Sequence, residues 1–226
     1  MSTFQRAHSE EQRAARRTAI LETAAAMLTE MPVAALSLNE LSRRVGLAKS
    51  NVLRYFPSRE AILLSLLTRE SDELVSAVTD RLAARGDRRR TALRRSEIVA
   101  GAFVAALVER PVLCDLLSAQ AGVLERNITV EVAAAFKRAS IDQLRQLAEL
   151  VHRQLPELDS PDCIKLIGAA QLQVGTVWTH SRPAPSVQAV YREHPELAAF
   201  RMDFAETMYE LIITFAAGLL ARSKVI

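Results

Sequence analysis

Apolar positions recur at intervals of three and four along almost the whole chain, and no stretch alternates polar and apolar residues as a strand would. The pattern predicts an all-α protein of about nine helices. A first helix runs from about Glu10 to Met31, with Ile20, Ala24, Met27, Leu28 and Met31 on one face and Pro32 as its stop. A short second helix opens at Ser37-Leu38-Asn39-Glu40. The spacing predicts a capping box, in which Ser37 can accept from the Glu40 amide and Glu40 can reach back to Ser37. Leu38, Leu41 and Val45 form its apolar face, and Gly46 stands where a left-handed residue ends it. A third helix, about Lys49 to Phe56, turns Val52 and Phe56 inward. Pro57 breaks it, and Ser58 caps a longer fourth helix with the stripe Ile62, Leu63, Leu66, Leu67, Leu74 and Val78.

The polar, glycine-containing run Arg85-Gly86-Asp87-Arg88-Arg89-Arg90 separates the front of the chain from the back. Residues 1–60 read as a small front domain and residues 61–226 as a larger helical one, with helix four from Ser58 bridging the two. Beyond the break the pattern predicts a helix from about Thr91 to Glu109 (Ile98, Val99, Ala102, Phe103, Ala106), ended by Pro111. A short one spans about Val112 to Gln120. A long one runs from Leu124 to Leu155, with Ile128, Val132, Phe136, Leu144, Leu147 and Val151 in register and Pro156 as its close. Ser160-Pro161 reads as an N-cap followed by a first-turn proline, opening a helix to about His180. The proline-rich stretch Ser181–Pro195 reads as a loop. A last helix, about Glu196 to Ser223, carries Phe200, Phe204, Met208, Leu211, Ile212, Phe215 and Leu219.

Composition narrows the class. Of 226 residues, half are hydrophobic and 24% charged, which suits a folded globular chain rather than a disordered one. Seven glycines are too few to suggest a Gly-rich phosphate loop. No uninterrupted apolar run approaches the ~18–20 residues that cross a bilayer. Met1 to Arg17 is polar with both charge signs, unlike a signal peptide. Cys114 and Cys163 each sit in an apolar helical pattern, which argues against a disulfide scaffold or a cysteine zinc site and suits a reducing cytoplasm. Cys114 reads as a small buried hydrophobe, with redox sensing as the alternative. His8, His152, His180 and His194 show no metal-ligand spacing, and no nucleophile elbow or Cys–His signature is present, so neither an enzyme, a metal site nor a cofactor is expected. The net charge of +3 hides an asymmetry. Residues 1–95 hold 17 Lys/Arg against 11 Asp/Glu, and the remainder 12 against 15. A basic front suggests contact with a polyanion, though a solvated surface would look the same.

The segment Ser37–Arg59 has the spacing of a helix-turn-helix: about nine residues, a turn at Gly46-Leu47-Ala48, and about eight more. The second helix shows Lys49, Ser50, Asn51 and Arg54 on its outer face, all able to hydrogen bond to base edges or phosphates. Arg13, Arg16 and Arg17 on the first helix, and less strongly Arg88-Arg89-Arg90, are further candidates for phosphate. A plain helical hairpin with a polar outside fits the same spacing. The run Ser37-Leu38-Asn39-Glu40-Leu41-Ser42-Arg43-Arg44-Val45-Gly46-Leu47-Ala48-Lys49-Ser50-Asn51-Val52-Leu53-Arg54-Tyr55-Phe56-Pro57-Ser58-Arg59-Glu60-Ala61-Ile62-Leu63, preceded by Ile20-Leu21-Glu22-Thr23-Ala24-Ala25, resembles the DNA-binding domain of TetR-type (tetracycline-repressor-like) transcriptional regulators. The resemblance covers about Arg13–Leu67.

That resemblance implies a homodimeric repressor on a palindrome-like duplex operator, with a small-molecule effector in the back domain controlling the spacing of the two front domains. By position it places Ser37 and Asn39 at a phosphate or nearby base, and Lys49, Ser50, Asn51 and Arg54 in the major groove. Tyr55 and Arg59 are placed on the DNA backbone. Leu53 departs from the family's usual tyrosine, and Ala48 from its usual Ser/Thr cap. For the effector, Phe103, Leu117, Gln120, Phe136, Gln171, Val174 and Trp178 lie on or near inward faces of back-domain helices. Gln120 and Gln171 supply the few polar groups such a pocket needs, and a largely apolar ligand is expected. The last two long helices, with the seam Phe204, Met208, Leu211, Ile212, Phe215 and Leu219, are the expected dimer surface. The alternative function is an all-helical binding or interaction protein that never meets DNA.

Overall fold

Eleven α-helices account for nearly all the regular structure in a computed structural model that describes residues 3–83 and 90–223, two more than the pattern predicts. They are α1 (Thr3–Glu30), α2 (Leu38–Val45), α3 (Lys49–Tyr55), α4 (Arg59–Ala83), α5 (Ala92–Val108), α6 (Pro111–Ala119), α7 (Val130–Gln154), α8 (Ser160–Ser181), α9 (Pro185–Glu193), α10 (Pro195–Ala198) and α11 (Phe204–Ser223). Helix α4 organises the rest. From Ala61 to Leu67 it is buried on nearly every side, with Ile62, Leu63, Leu66 and Leu67 at 2% exposure or less. A helix apolar all round has to be surrounded. It packs against α1, α5, α6 and α7. Helices α8 and α11 close the back, α8 against α6 and α7, and α11 against α5 and α8. One continuous core results, running from Ile20, Val52 and Phe56 at the front to Met208 and Ile212 at the back. Each such Leu, Ile or Phe contributes about 1.5–3 kcal/mol by leaving water.

The differences from the sequence pattern have local causes. Ser181–Pro195 is helical rather than a loop. Pro185 and Pro195 each occupy the first turn of a helix, where a missing N–H costs nothing. Helix α9 buries none of its residues, so no apolar stripe announces it. The last helix starts at Phe204 rather than Glu196, because α10 and a short turn precede it. The long seventh helix starts at Val130 with Thr129 as its cap, not at Leu124. Gln120–Leu124 instead forms a π-helical turn continuing α6. The cap of α8 is Asp159, whose carboxylate accepts from the Asp162 amide at 2.7 Å, and Ser160 is already inside the helix. The predicted break at 85–90 falls, apart from Arg90, outside the described residues.

Two expectations about surfaces also change. Helix α11 is long and apolar enough, at a mean hydropathy of 1.4, to cross a membrane by length and composition. Here one face of it joins the core, with Met208, Ile212, Ala216 and Leu220 packed inward, and a third of the apolar window is buried. Averaging over a window exposes this property, which a search for unbroken apolar runs misses. For the same reason most of the expected dimer seam is internal. Phe204, Met208, Ile212 and Leu219 are buried within the chain, Leu211 is half-buried, and Phe215 remains 42% exposed. Both cysteines are free and fully buried. Burial pushes the Cys114 thiol up to about 12 and the Cys163 thiol up to about 11, so neither carries thiolate at neutral pH.

Candidate nucleic-acid interface and ligand cleft

The front hairpin is held by its caps and by two arginines. Ser37 Oγ accepts from the Glu40 amide at 3.2 Å, as the capping box requires. The Glu40 carboxylate does not reach back. It accepts from Arg43 at 2.6 and 2.9 Å and from Arg44 at 2.9 Å, and these partners hold its pKa at about 2. Gly46 is left-handed at φ 72°, and the Gly46 and Leu47 amides close the end of α2 on Arg43 and Ser42. Helix α3 then seats Val52 and Phe56 in the core, at 0% and 1% exposure. Ala48 caps it without a side-chain bond.

That seating turns Lys49, Ser50, Asn51 and Arg54 outward together with Leu53, and all five are exposed. None of the four polar side chains hydrogen bonds elsewhere among the described residues. Asn39 is exposed on the first turn of α2, next to the Ser37 cap, while Tyr55 is half-buried. Arg13 and Arg16 are exposed on α1. Arg17 and Arg59 are placed differently. Arg17 donates to the Tyr55 carbonyl at 2.5 Å and lies 4.0 Å over the Phe56 ring. Burial, with Arg13 nearby, lowers its pKa. The Arg59 guanidinium donates to the carbonyls of Leu36 and Val33 and pairs with Glu60 at 3.1 Å. It therefore ties the start of α4 to the α1–α2 connection. Arg59→Met is expected to lower stability by about 2 kcal/mol, since hydrogen bonds to a charged group are lost. The salt dependence of duplex binding should stay unchanged. Thermal unfolding and a salt titration check both halves, and a shallower slope at unchanged stability would return Arg59 to the phosphates.

In the back, Leu117, Gln120, Phe136 and Gln171 meet around a cleft of about 280 Å³ between α4, α6, α7 and α8. Phe103 and Val174 do not line it. They border a void of about 20 Å³ that shares Ser71, Leu117 and Gln171 with the cleft. Trp178 lies elsewhere, beside an opening lined by Arg182 and residues 201–204. Its indole N–H donates to Asp115 at 2.6 Å, Arg182 stacks 3.8 Å over its ring, and Phe204 meets it edge-on at 5.0 Å. The cleft also takes in Ser71, Ser140 and Gln143, which the apolar stripes passed over. The signal was there: 136, 140, 143 and 147 share one helical face, and a serine and a glutamine interrupt its apolar run. A second, larger groove of about 610 Å³ separates α1 and the end of α3 from α7, with Phe136 between the two spaces.

Residues 20–66 match the family model of bacterial regulatory proteins of the tetR family, and residues 68–223 match that of the tetracyclin repressor-like C-terminal domain. The chain belongs to the TetR family. The junction between the two matches falls within α4, the helix common to front and back. Among curated relatives, the HTH-type transcriptional regulator EthR of Mycobacterium tuberculosis is 43% identical over 54 residues. That match spans 24% of this chain and about a quarter, 25%, of EthR. Two solved structures of transcriptional regulators share the fold over most of their length. A TetR transcriptional regulator from Rhodococcus sp. RHA1 superposes with a TM-score of 0.52 at 17% identity, covering 81% of this chain and 94% of that one. The regulator FadR from Bacillus subtilis, solved with stearoyl-CoA, gives 0.52 at 14% identity over 88% and 98%.

Proposed function

We propose that this TetR-family chain is a DNA-binding repressor, active in the cytoplasm as a homodimer and released from its operator by a small molecule in the back domain. One observation carries the reading: a short helix, held rigidly from behind, presents Lys49, Ser50, Asn51 and Arg54 free of other partners. A helix of that size fits the major groove, and these side chains match base-edge and phosphate chemistry. Ser37 and Asn39 at the start of α2 are assigned to the neighbouring phosphates, with Arg13 and Arg16 as further cations. In this reading residues 1–60 are the DNA-binding unit and residues 61–226 the effector and dimer unit. The outer faces of α8 and α11, where Leu172 is 80% and Phe215 42% exposed, are the proposed dimer contact. The cleft around Leu117, Gln120, Phe136 and Gln171 is the proposed effector site. No cation lines it, so the phosphates of a ligand such as the stearoyl-CoA bound by FadR would find only neutral donors there.

The test is a duplex selected from the organism's own genomic fragments, titrated against salt. Asn51→Ala should weaken that duplex by about 10- to 100-fold and leave non-specific binding unchanged. Lys49→Ala or Arg54→Ala should flatten the slope of log affinity against log salt by about 0.9 if the residue meets a phosphate. The same titration should give two chains per site. Equal, weak binding of selected and random duplexes would favour a helical interaction protein instead.

A further inference from the structure

Gln143 is a buried amide, 5% exposed, on the α7 face that lines the cleft. Its Nε2 donates twice toward α4, to the Thr68 carbonyl at 3.0 Å and to Asp72 Oδ1 at 2.7 Å. Both partners are acceptors only, so the orientation of the amide is dictated and not a matter of choice. Oε1 must therefore face away from α4. It accepts nothing from the described residues, yet it is not sealed from solvent. The Gln171 carboxamide and the Ser71 hydroxyl line the same cleft without a partner among the described residues. No charged side chain lines the cleft.

From this arrangement we infer that the cleft takes an uncharged molecule bearing a hydrogen-bond donor, received by Gln143 Oε1, and that Gln143 passes occupancy to α4 through Thr68 and Asp72. The inference rests on the effector reading above and deepens it. A donor on Oε1 polarises the amide and strengthens the two bonds its N–H groups make. The same molecule therefore binds best when α4 is held against α7, and its presence favours that arrangement. Thr68 and Asp72 lie about 14–20 Å along α4 from Arg59, at 1.5 Å per residue, so a tie there bears on the end that anchors the front hairpin. Thr68 and Asp72 also line the larger groove beside Arg17 and Phe56, which gives the front hairpin open space next to α7.

The test uses the full chain and three probes of one shape: 4-butylphenol, a donor; 4-butylanisole, without a donor; and 4-butylbenzoate, an anion. Ligand-observed NMR should show the phenol binding about fivefold tighter than the anisole, the worth of one net hydrogen bond, and the benzoate weaker than both. In Gln143→Met the phenol-to-anisole ratio should fall to about one. Asp72→Ala leaves the cleft lining intact. It should still prefer the phenol to the anisole, binding it somewhat less tightly because the Asp72 bond and the ligand strengthen each other, yet lose the phenol's effect on affinity for the selected duplex, an effect of about threefold or more before the substitution. Equal binding of phenol and anisole, tighter binding of benzoate, or no binding of any probe overturns the ligand class. A duplex affinity that still responds to the phenol in Asp72→Ala overturns the relay. A protein that prefers the phenol but binds no duplex brings down the DNA-binding proposal and the relay, while the ligand class stands.

Discussion

Gly175→Val should lower the melting temperature by about 10 °C, corresponding to about 3 kcal/mol in a chain of this size. Gly175 lies on α8 where that helix crosses α6. A Cβ placed on it would stand 2.9 Å from Ser118 Cα and 3.0 Å from the carbonyl carbon and oxygen of Leu117. These are backbone atoms and cannot swing aside, so the two helices would have to separate. Leu117 and Gln171 line the cleft from those same helices, so the substitution should also enlarge or collapse it. A control lies on the same helix. A Cβ on Gly168 would meet nothing within 4 Å, and Gly168→Ala should instead stabilise by up to about 1 kcal/mol through helix propensity. Thermal unfolding of the two variants side by side checks the pair. A Gly175→Val protein melting within 2 °C of the unmodified one would mean α6 and α8 are not held this close.

Phe56→Ala should cost about 3–5 kcal/mol and remove most affinity for the selected duplex. The ring is 1% exposed and ends α3, and with Val52 it seats the helix in the core. It also carries the Arg17 guanidinium on its face, at 4.0 Å, while Arg17 holds the Tyr55 carbonyl just before it. Truncation therefore opens a cavity and loosens the clamp between α1 and α3 in one step. Because front and back share a continuous core through α4, unfolding should remain a single transition at lower temperature. Duplex affinity within threefold of the unmodified protein, at an unchanged melting temperature, would show that Phe56 does not position α3.

Local chemistry made the front of the molecule legible in the chain. Ser37, Gly46 and Ser58 cap or end helices through bonds that span three to five residues, and each acts as its type and position demand. Val52 and Phe56 follow from a 3.6-residue period, and their burial fixes which side chains of α3 face outward. The all-helical class, the order of the main helices and the resemblance of Arg13–Leu67 to TetR-type regulators all follow from such short-range pattern. The partners of long side chains do not. Glu40 had a capping role open to it and turned to Arg43 and Arg44, and Arg59 found carbonyls 23 and 26 residues away. Helix α9 escaped detection because it buries nothing, and periodicity reports burial rather than helicity. The cleft is the clearest case. Phe103, Phe136 and Trp178 all look inward on their own helices, yet which inward faces meet depends on how α6 and α8 cross at Gly175 and where the π turn after α6 points. A sequence specifies each helix's apolar stripe residue by residue. Which stripes share a space, and which polar residues such as Gln143 end up between two helices, is set by packing across 70 or more residues of chain, as the bonds from Gln143 to Asp72 and Thr68 show at separations of 71 and 75.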